Sequence, residues 1–505
     1  MKIYIALLFT GSVLFCNAQK KTDPVFYANN IKAETLQKHL YQIAGPAFEG
    51  RETATAGQRK TAAYIEDYFR SLGLKPGNKD SFQLAYPVYQ DSLISSSLEI
   101  NGEDMQINKD YSNRSLSNAH TFSYGLSNVV FAGYGLSDSL WNDYKGLDVA
   151  GKIVLILGGF PPDYVQKQVN RGTYNTAAKT EAAQQHGAAA VFVIQEDFPR
   201  RAVPDEGPMY LHYFRASLPP AYFYVSERIA RIIMGSDYDL AKKGSFDHKS
   251  YHADIWLSIQ KQTKKLQSTD VLGYLEGTDL KDQLLVISAH YDHLGKRDSV
   301  IYFGADDDGS GTVSLLELAA AFSKAKDAGK GPRRSILFLA NSGEEKGLFG
   351  SEYYTDHPVY PLNNTTADLN IDMIGRKDPG RKQGDSNNYV YIVGDDKLSS
   401  DLHAISVGMN NKYTGLELDY RFNDPKDPLK IFYRSDHFNF ARKGVPIIFY
   451  FDGINNDYHK PTDTPDKINY DLMVKRARLV FFTAWEMANR NEMLKRDLPA
   501  VRSTR

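Results

Sequence analysis

At 505 residues, with 42% apolar and 24% charged side chains, the chain has the make-up of an ordinary globular protein of two or three domains. Its 60 Lys+Arg and 61 Asp+Glu leave a net charge of −1, so no basic excess points to nucleic acid as a partner and no acidic tail is present.

The first element is a leader. Lys2 precedes an apolar run from Ile3 to Phe15, and Cys16-Asn17-Ala18 then places small residues at the −3 and −1 positions of a cut before Gln19. Residues 1–18 therefore read as a secretory signal peptide. The run is shorter than the roughly 20 residues a membrane span needs. Bulky Phe15 argues against lipidation at Cys16, the only cysteine. The mature chain is then expected to be exported, periplasmic or extracellular, without a membrane span. It has no disulfide, thiolate nucleophile or thiolate–metal site.

From about Asp23 to Pro76 the chain reads as helix-rich. Ala62, Ile65, Phe69 and Leu72 form one apolar helical face that Gly73 ends, and the polar FEGRETATAG before it is a loop. Between about Asn128 and Tyr224, NVVFAGYG, GKIVLIL and AAVFVI read as strands, with a helix from about Thr176 to His186. Glu196–Pro220, rich in Pro, Arg and Tyr, reads as a long loop, placed to overhang a site or to serve as a homodimer contact. From Asp270 onward LLVISA, SILFLA, ADLNID, YVYIVG and PIIFYF alternate with helices, notably Gly309–Lys326 and Tyr470–Arg490. The expected fold class is α/β: a mixed, mainly parallel sheet flanked by helices in three layers, with a smaller α/β or β-rich module.

Chemistry-bearing motifs follow the strands, where open α/β sheets place their sites. His290 and Asp292 form H-x-D, in which the carboxylate can hold the imidazole's second nitrogen. His293 is a weaker candidate, because the strand favours only one of the two histidines. Asp306-Asp307-Asp308 lie in a Gly-flanked turn, where adjacent carboxylates repel unless a cation neutralises them. Counted from Asp306, Asp308, Ser310, Gly311 and Glu317 match a calcium loop. The strand-like SVIYFG upstream and the early helix downstream argue against that reading. Glu344-Glu345 follow SILFLA, Asp372 ends ADLNID, and Tyr458-His459 lie in the polar loop YHKPTDT. Each is ordinary alone, but the ordered set is the inventory of a hydrolytic two-metal site with a spare carboxylate.

In these motifs the chain resembles the co-catalytic dizinc aminopeptidase family, which includes bacterial leucine aminopeptidase, glutamate carboxypeptidase II, glutaminyl cyclase and the transferrin receptor. The resemblance covers about Asp270–Arg490. FEGRETATAG and the helix to GLKP are similar to the family's N-terminal segment, and Asn128–Ile194 looks like its inserted protease-associated domain. The resemblance implies a division into 23–112 as the N-terminal part of the peptidase domain, 113–252 as the insert and 253–495 as the catalytic domain. It implies two Zn2+ per chain, with His290 and Asp372 on one, Glu345 and His459 on the other, and Asp307 bridging, followed by a cis Asp307–Asp308 peptide. Glu344 matches the general base, Asp292 the partner of His290, and Tyr458 a position that polarises the scissile carbonyl in some relatives. RSDH, Arg434–His437, matches a family segment near the site.

The expected function is that of an exported aminopeptidase acting on peptides. A carboxypeptidase or a glutaminyl cyclase of the same fold is the first alternative. The carboxypeptidase needs a cation for the substrate carboxylate, with Arg376, Arg421 and Arg434 as candidates. A non-catalytic receptor is the second alternative. Such a chain should have lost ligands or the base, and none is missing here.

Overall fold

The computed structural model describes residues 23–113, 121–161, 164, 176–200, 205–214 and 218–501. The expected leader, Cys16 included, lies outside them. No helix among the described residues is long and apolar enough to cross a membrane. The chain forms two units, one of residues up to Pro87 together with Gln267 onward, the other of Val88–Leu266.

In the first unit the strands run in the order Glu417–Asp419, Tyr389–Val393, Ile447–Phe451, Thr365–Ile371, Leu280–His290, Arg334–Asn341 and the last part of Lys249–Leu275. From Ile447–Phe451 to Arg334–Asn341 neighbours are parallel. Tyr389–Val393 and the end of Lys249–Leu275 flank them antiparallel. The parallel strands are buried on both faces, which is why they read as continuous apolar runs. The two-residue period divides them between two cores. Leu285, Ile287 and Ala289 pack with helices Ala33–Ile43, Ala56–Ser71, Gly311–Asp327 and Tyr470–Asn489, whereas Leu284 and Val286 pack with Phe349–Asp356 and His437–Arg442. Each fully buried Leu or Ile contributes about 1.5–3 kcal/mol. Helix Ala56–Ser71 buries the expected face through Ala62, Ile65 and Phe69, and Thr55 caps it by accepting from Gln58 N. Asn469 caps Tyr470–Asn489 the same way at Leu472 N.

The second unit has its own sheet, in the order Lys249–Leu275 (first part), Phe122–Phe131, Ile153–Leu157, Ala190–Gln195, Ala221–Ser226 and Tyr111–Ser112. The four strands from Phe122–Phe131 to Ala221–Ser226 are parallel. The helix expected from about Thr176 to His186 runs Thr176–Gln185.

The two compact units divide at 87/88 and 266/267, whereas the resemblance implies domain edges at 112/113 and 252/253. Strands Gln83–Ile100 and Lys249–Leu275 cross them without a turn, and residues on the far side of the expected edges pair inside the second unit: Tyr89 opposite Tyr210, Ile259 opposite Phe122. The stretch Glu196–Pro220 is not loop throughout, since Glu206–Tyr210 is a strand. The Tyr210 ring stacks on Tyr89 at 5.9 Å, a cross-strand pair that composition alone does not reveal.

Candidate metal centre

Parallel strands deliver their C-terminal ends to one edge of the first unit's sheet, and the site is built there. His290 ends its strand and Asp372 directly follows Thr365–Ile371. Glu344 and Glu345 open a helical turn after Arg334–Asn341. Asp307 sits in the turn Ala305–Ser310 that leads into Gly311–Asp327, and the Asp307–Asp308 peptide is cis. His459 lies in the loop beyond Ile447–Phe451.

Two clusters share Asp307. Its Oδ1 and Asp372 Oδ1 each lie 3.5 Å from His290 Nε2. On the other side His459 Nε2 lies 3.0 Å from Asp307 Oδ2 and 3.2 Å from Glu345 Oε2. His293 joins this second cluster, its Nδ1 2.9 Å from Glu345 Oε1 and 3.9 Å from Asp307 Oδ2. From sequence it ranks below His290. The strand does fix only one histidine, but the irregular loop after it turns the other back toward the same carboxylates.

Of the three adjacent aspartates only Asp307 faces the clusters. Asp308 accepts from the backbone N–H groups of His290, Gly311 and Met373. Asp306 accepts from Gly375 N and Asn455 Nδ2. These bonds knit the turn to two neighbouring strand ends, and Glu317, the last calcium-loop position, instead accepts from Thr35. Asp463 accepts from the N–H groups of Asp306 and Asp307. Asp292 accepts from Thr53 Oγ1 at 2.7 Å and from Glu344 N at 3.2 Å, while its own carbonyl accepts from His290 Nδ1 at 3.2 Å. Arg51, fully buried, donates to the carbonyls of Ile43, Tyr291, Phe303 and Gly304. Sequence reasoning passed over Arg51, Thr53 and Asp463. The first two lie inside FEGRETATAG and the third inside YHKPTDT, so the segments carried a signal and the individual residues did not.

The electrostatics are those of a site made for cations. Burial raises the Glu344 carboxyl well above the usual range, helped by the charges of Glu345 and Asp372 and opposed by His290. Burial acts the same way on Asp307, but the nearby imidazoles of His290 and His459 prevail and hold it well below. His459, disfavoured as a cation by burial, is pushed up to about 10 by Asp307 and Glu345. His290 Nε2, His293 Nδ1, Asp307 Oδ2 and Glu345 Oε1 are buried without an acceptable hydrogen bond. Unpaired buried groups of this kind are costly unless something compensates them. Imidazole and carboxylate donors without thiolate suit divalent zinc in catalytic sites.

A cavity opens on the clusters, lined by Asp307, Glu344 and Asp372 and by apolar Met373, Ile431, Phe449 and Phe451. Tyr458 and Arg434 close it, the guanidinium donating to the phenol oxygen at 3.0 Å. Burial, then the nearby Asp307 carboxylate, raises the Tyr458 phenol, so it remains protonated. Arg376 and Arg421 do not line the cavity; they pair with Asp457 and Asp378. The rest of RSDH is structural: Ser435 accepts from Asn370, Asp436 accepts from Ser351, and His437 donates to the Phe432 carbonyl.

Residues 270–484 match peptidase family M28 and residues 123–217 match the PA domain. These matches bear out the resemblance drawn from the motifs. A probable leucine aminopeptidase of Arthroderma otae is 30% identical over 218 residues, 42% of this chain and 56% of the relative. Leupeptin-inactivating enzyme 1 of Streptomyces exfoliatus is 28% identical over 36% of this chain and 42% of its own length. The chain thus spans about half the length of the curated relatives it matches. Among solved structures, an aminopeptidase from Aneurinibacillus sp. strain AM-1 aligns with a TM-score of 0.58 at 20% identity, covering 96% of this chain and all 100% of that one. A zinc aminopeptidase from Bacillus subtilis aligns at 0.51 and 20% identity, covering 93% and 99%. These likenesses show a common fold.

Proposed function

We propose that this chain, whose residues 270–484 match peptidase family M28, is a two-metal exopeptidase that removes N-terminal residues from peptides. The observation that carries the reading is one carboxylate, Asp307, facing His290 and Asp372 with one oxygen and His459 and Glu345 with the other, beside the buried Glu344. His290, Asp307 and Asp372 would hold one zinc, and Asp307, Glu345 and His459 the other. When bound, the pair would supply Lewis acidity and a water of lowered pKa.

The chain's own groups do the rest. Asp292, fixed by Thr53, holds the His290 tautomer through Nδ1. Glu344, its backbone N–H anchored on Asp292, takes the proton of the attacking water and returns it to the leaving amine. Tyr458, its oxygen already engaged by Arg434, keeps its O–H to donate to the developing oxyanion. The apolar walls of the cavity suit a hydrophobic substrate side chain.

Arg434 is the specific observation that favours a second reading. Alone of the three candidate arginines it lines the cavity, where it could grip a substrate carboxylate. A panel of peptides with free or blocked ends, run before and after chelation, tests both. The expected result is cleavage that needs a free α-amine, ends on metal removal and returns with two zinc ions per chain. Equal cleavage of N-acetylated peptides would overturn the aminopeptidase reading, and strict need for a free C-terminus would establish the carboxypeptidase. Export rests on residues 1–18, and N-terminal sequencing of exported protein should begin at Gln19.

A further inference from the structure

We infer that His293 is a direct ligand of the second metal position, which thereby becomes a four-ligand site of two imidazoles and two carboxylates. The inference rests on the two-metal reading and adds a residue to it. His293 is fully buried, its Nε2 has no hydrogen-bond partner among the described residues, and its Nδ1 approaches Glu345 without the alignment of a hydrogen bond. Its Nδ1 is 2.9 Å from Glu345 Oε1 and 3.9 Å from Asp307 Oδ2. His459 Nε2 approaches the same two carboxylates at 3.0 and 3.2 Å. Four donors held tetrahedrally at about 2.0–2.1 Å from zinc stand roughly 3.4 Å from one another. The observed spacings bracket that value, and His293, Asp307 and Glu345 offer donor atoms that all lie within 4.8 Å of each other.

The backbone supports the placement. Gly304, at φ +56, sits against the His293 ring where a Cβ would collide with Cγ and Cδ2. The loop can therefore close over the imidazole only with glycine there, and the ring is locked with Nδ1 toward the carboxylates. The two positions then differ. His290, Asp307 and Asp372 give three donors and leave room for substrate, as catalytic sites do. His293, Asp307, Glu345 and His459 give four and should retain their ion the longer.

An imidazole that merely orients Glu345 would also weaken metal binding, by about 10–100-fold when removed, so affinity alone does not decide. The ligand count does. Metal-freed full-length protein would be titrated with cobalt(II), and the exchangeable imidazole N–H protons shifted by the paramagnetic ion counted by NMR. Three are expected at two equivalents, from His290, His293 and His459. The first equivalent should bring two of them, from the tighter position. His293→Gln, checked for native circular dichroism, should lose one. Two bound ions with only two shifted imidazoles, or a third signal surviving His293→Gln, would overturn the inference and leave the two-metal reading intact. No cobalt uptake at all would overturn both.

Discussion

Each unit of the chain carries a run of parallel strands in its sheet, and among the described residues only the first unit gathers metal-ligand side chains at the strand ends. In the first unit the strands ending at His290, Asn341 and Ile371 lead into His, Glu and Asp that converge on Asp307. In the second, Ile153–Leu157 ends in Gly158 and Gly159, and Ala190–Gln195 in Glu196 and Asp197, where the described residues form no such cluster. The buried cation there, Lys179, spends its protons on the carbonyls of Leu157 and Gly159. Parallel architecture supplies a place for a site, and the residues just past the strands decide whether it is filled.

The sharpest way to break this contrast is the Glu pair. Glu344→Gln should keep both metals yet lose at least about 10²–10⁴-fold in kcat, because an amide cannot take a proton. Glu345→Gln should lose metal and recover partly at raised zinc. Metal analysis with rate against zinc on both variants decides between them. Rescue of Glu344→Gln instead would reverse the two roles.

The Glu pair also shows what was legible. His290, Glu344, Glu345 and Asp372 stand within four residues of an apolar strand end, so the strand run itself announced them. His459 and Asp307 needed the ordered series. His293 ranks lower because a strand favours only one of the two histidines, and its direction depends on a loop closing against Gly304, a contact no local pattern encodes. Arg51 and Thr53 act on residues some 240 positions away, and the unit boundaries lie inside strands whose alternation continues across them.

The second test concerns the supports of the site. Asp463→Ala removes the acceptor for the Asp306 and Asp307 N–H groups and loosens the residue both clusters share. Metal affinity is expected to fall about 10–100-fold, read by competition with a chelator. A smaller change would mean that the turn is held by Asp306 and Asp308 alone.

Arg51→Met sharpens the comparison by stability. The buried guanidinium donates to four carbonyls, and its loss takes that donor from Ile43, Tyr291 and Phe303, while the Gly304 carbonyl still accepts from Gly309 N. About 3–4 kcal/mol should be lost, since breaking bonds to a charged donor leaves desolvated acceptors behind. Hydrogen exchange should localise the loss to the first unit, and equal loss in Val88–Leu266 would refute that assignment.

The remaining effect belongs to the second unit and depends on pH. Burial lowers Lys179 from 10.5 to about 8, with Asp143 acting weakly against it. Below pH 8 both folded and unfolded chains carry the proton, and folding bears the whole cost of burying it. Between pH 8 and 10.5 the unfolded chain still binds the proton while the folded one has released it, so stability rises with pH. Above 10.5 neither is charged and the cost is gone. Lys179→Met has no such group. Its stability advantage over the native chain should therefore be largest below pH 8 and shrink by up to about 3 kcal/mol by pH 10.5. Denaturant midpoints of the two proteins across this range measure the difference, in which other titrating groups cancel. A difference that stays flat would show that the carbonyls of Leu157 and Gly159 solvate the ammonium as well as water does. The two units would then differ only in what their strand ends carry, and not in how they tolerate buried charge.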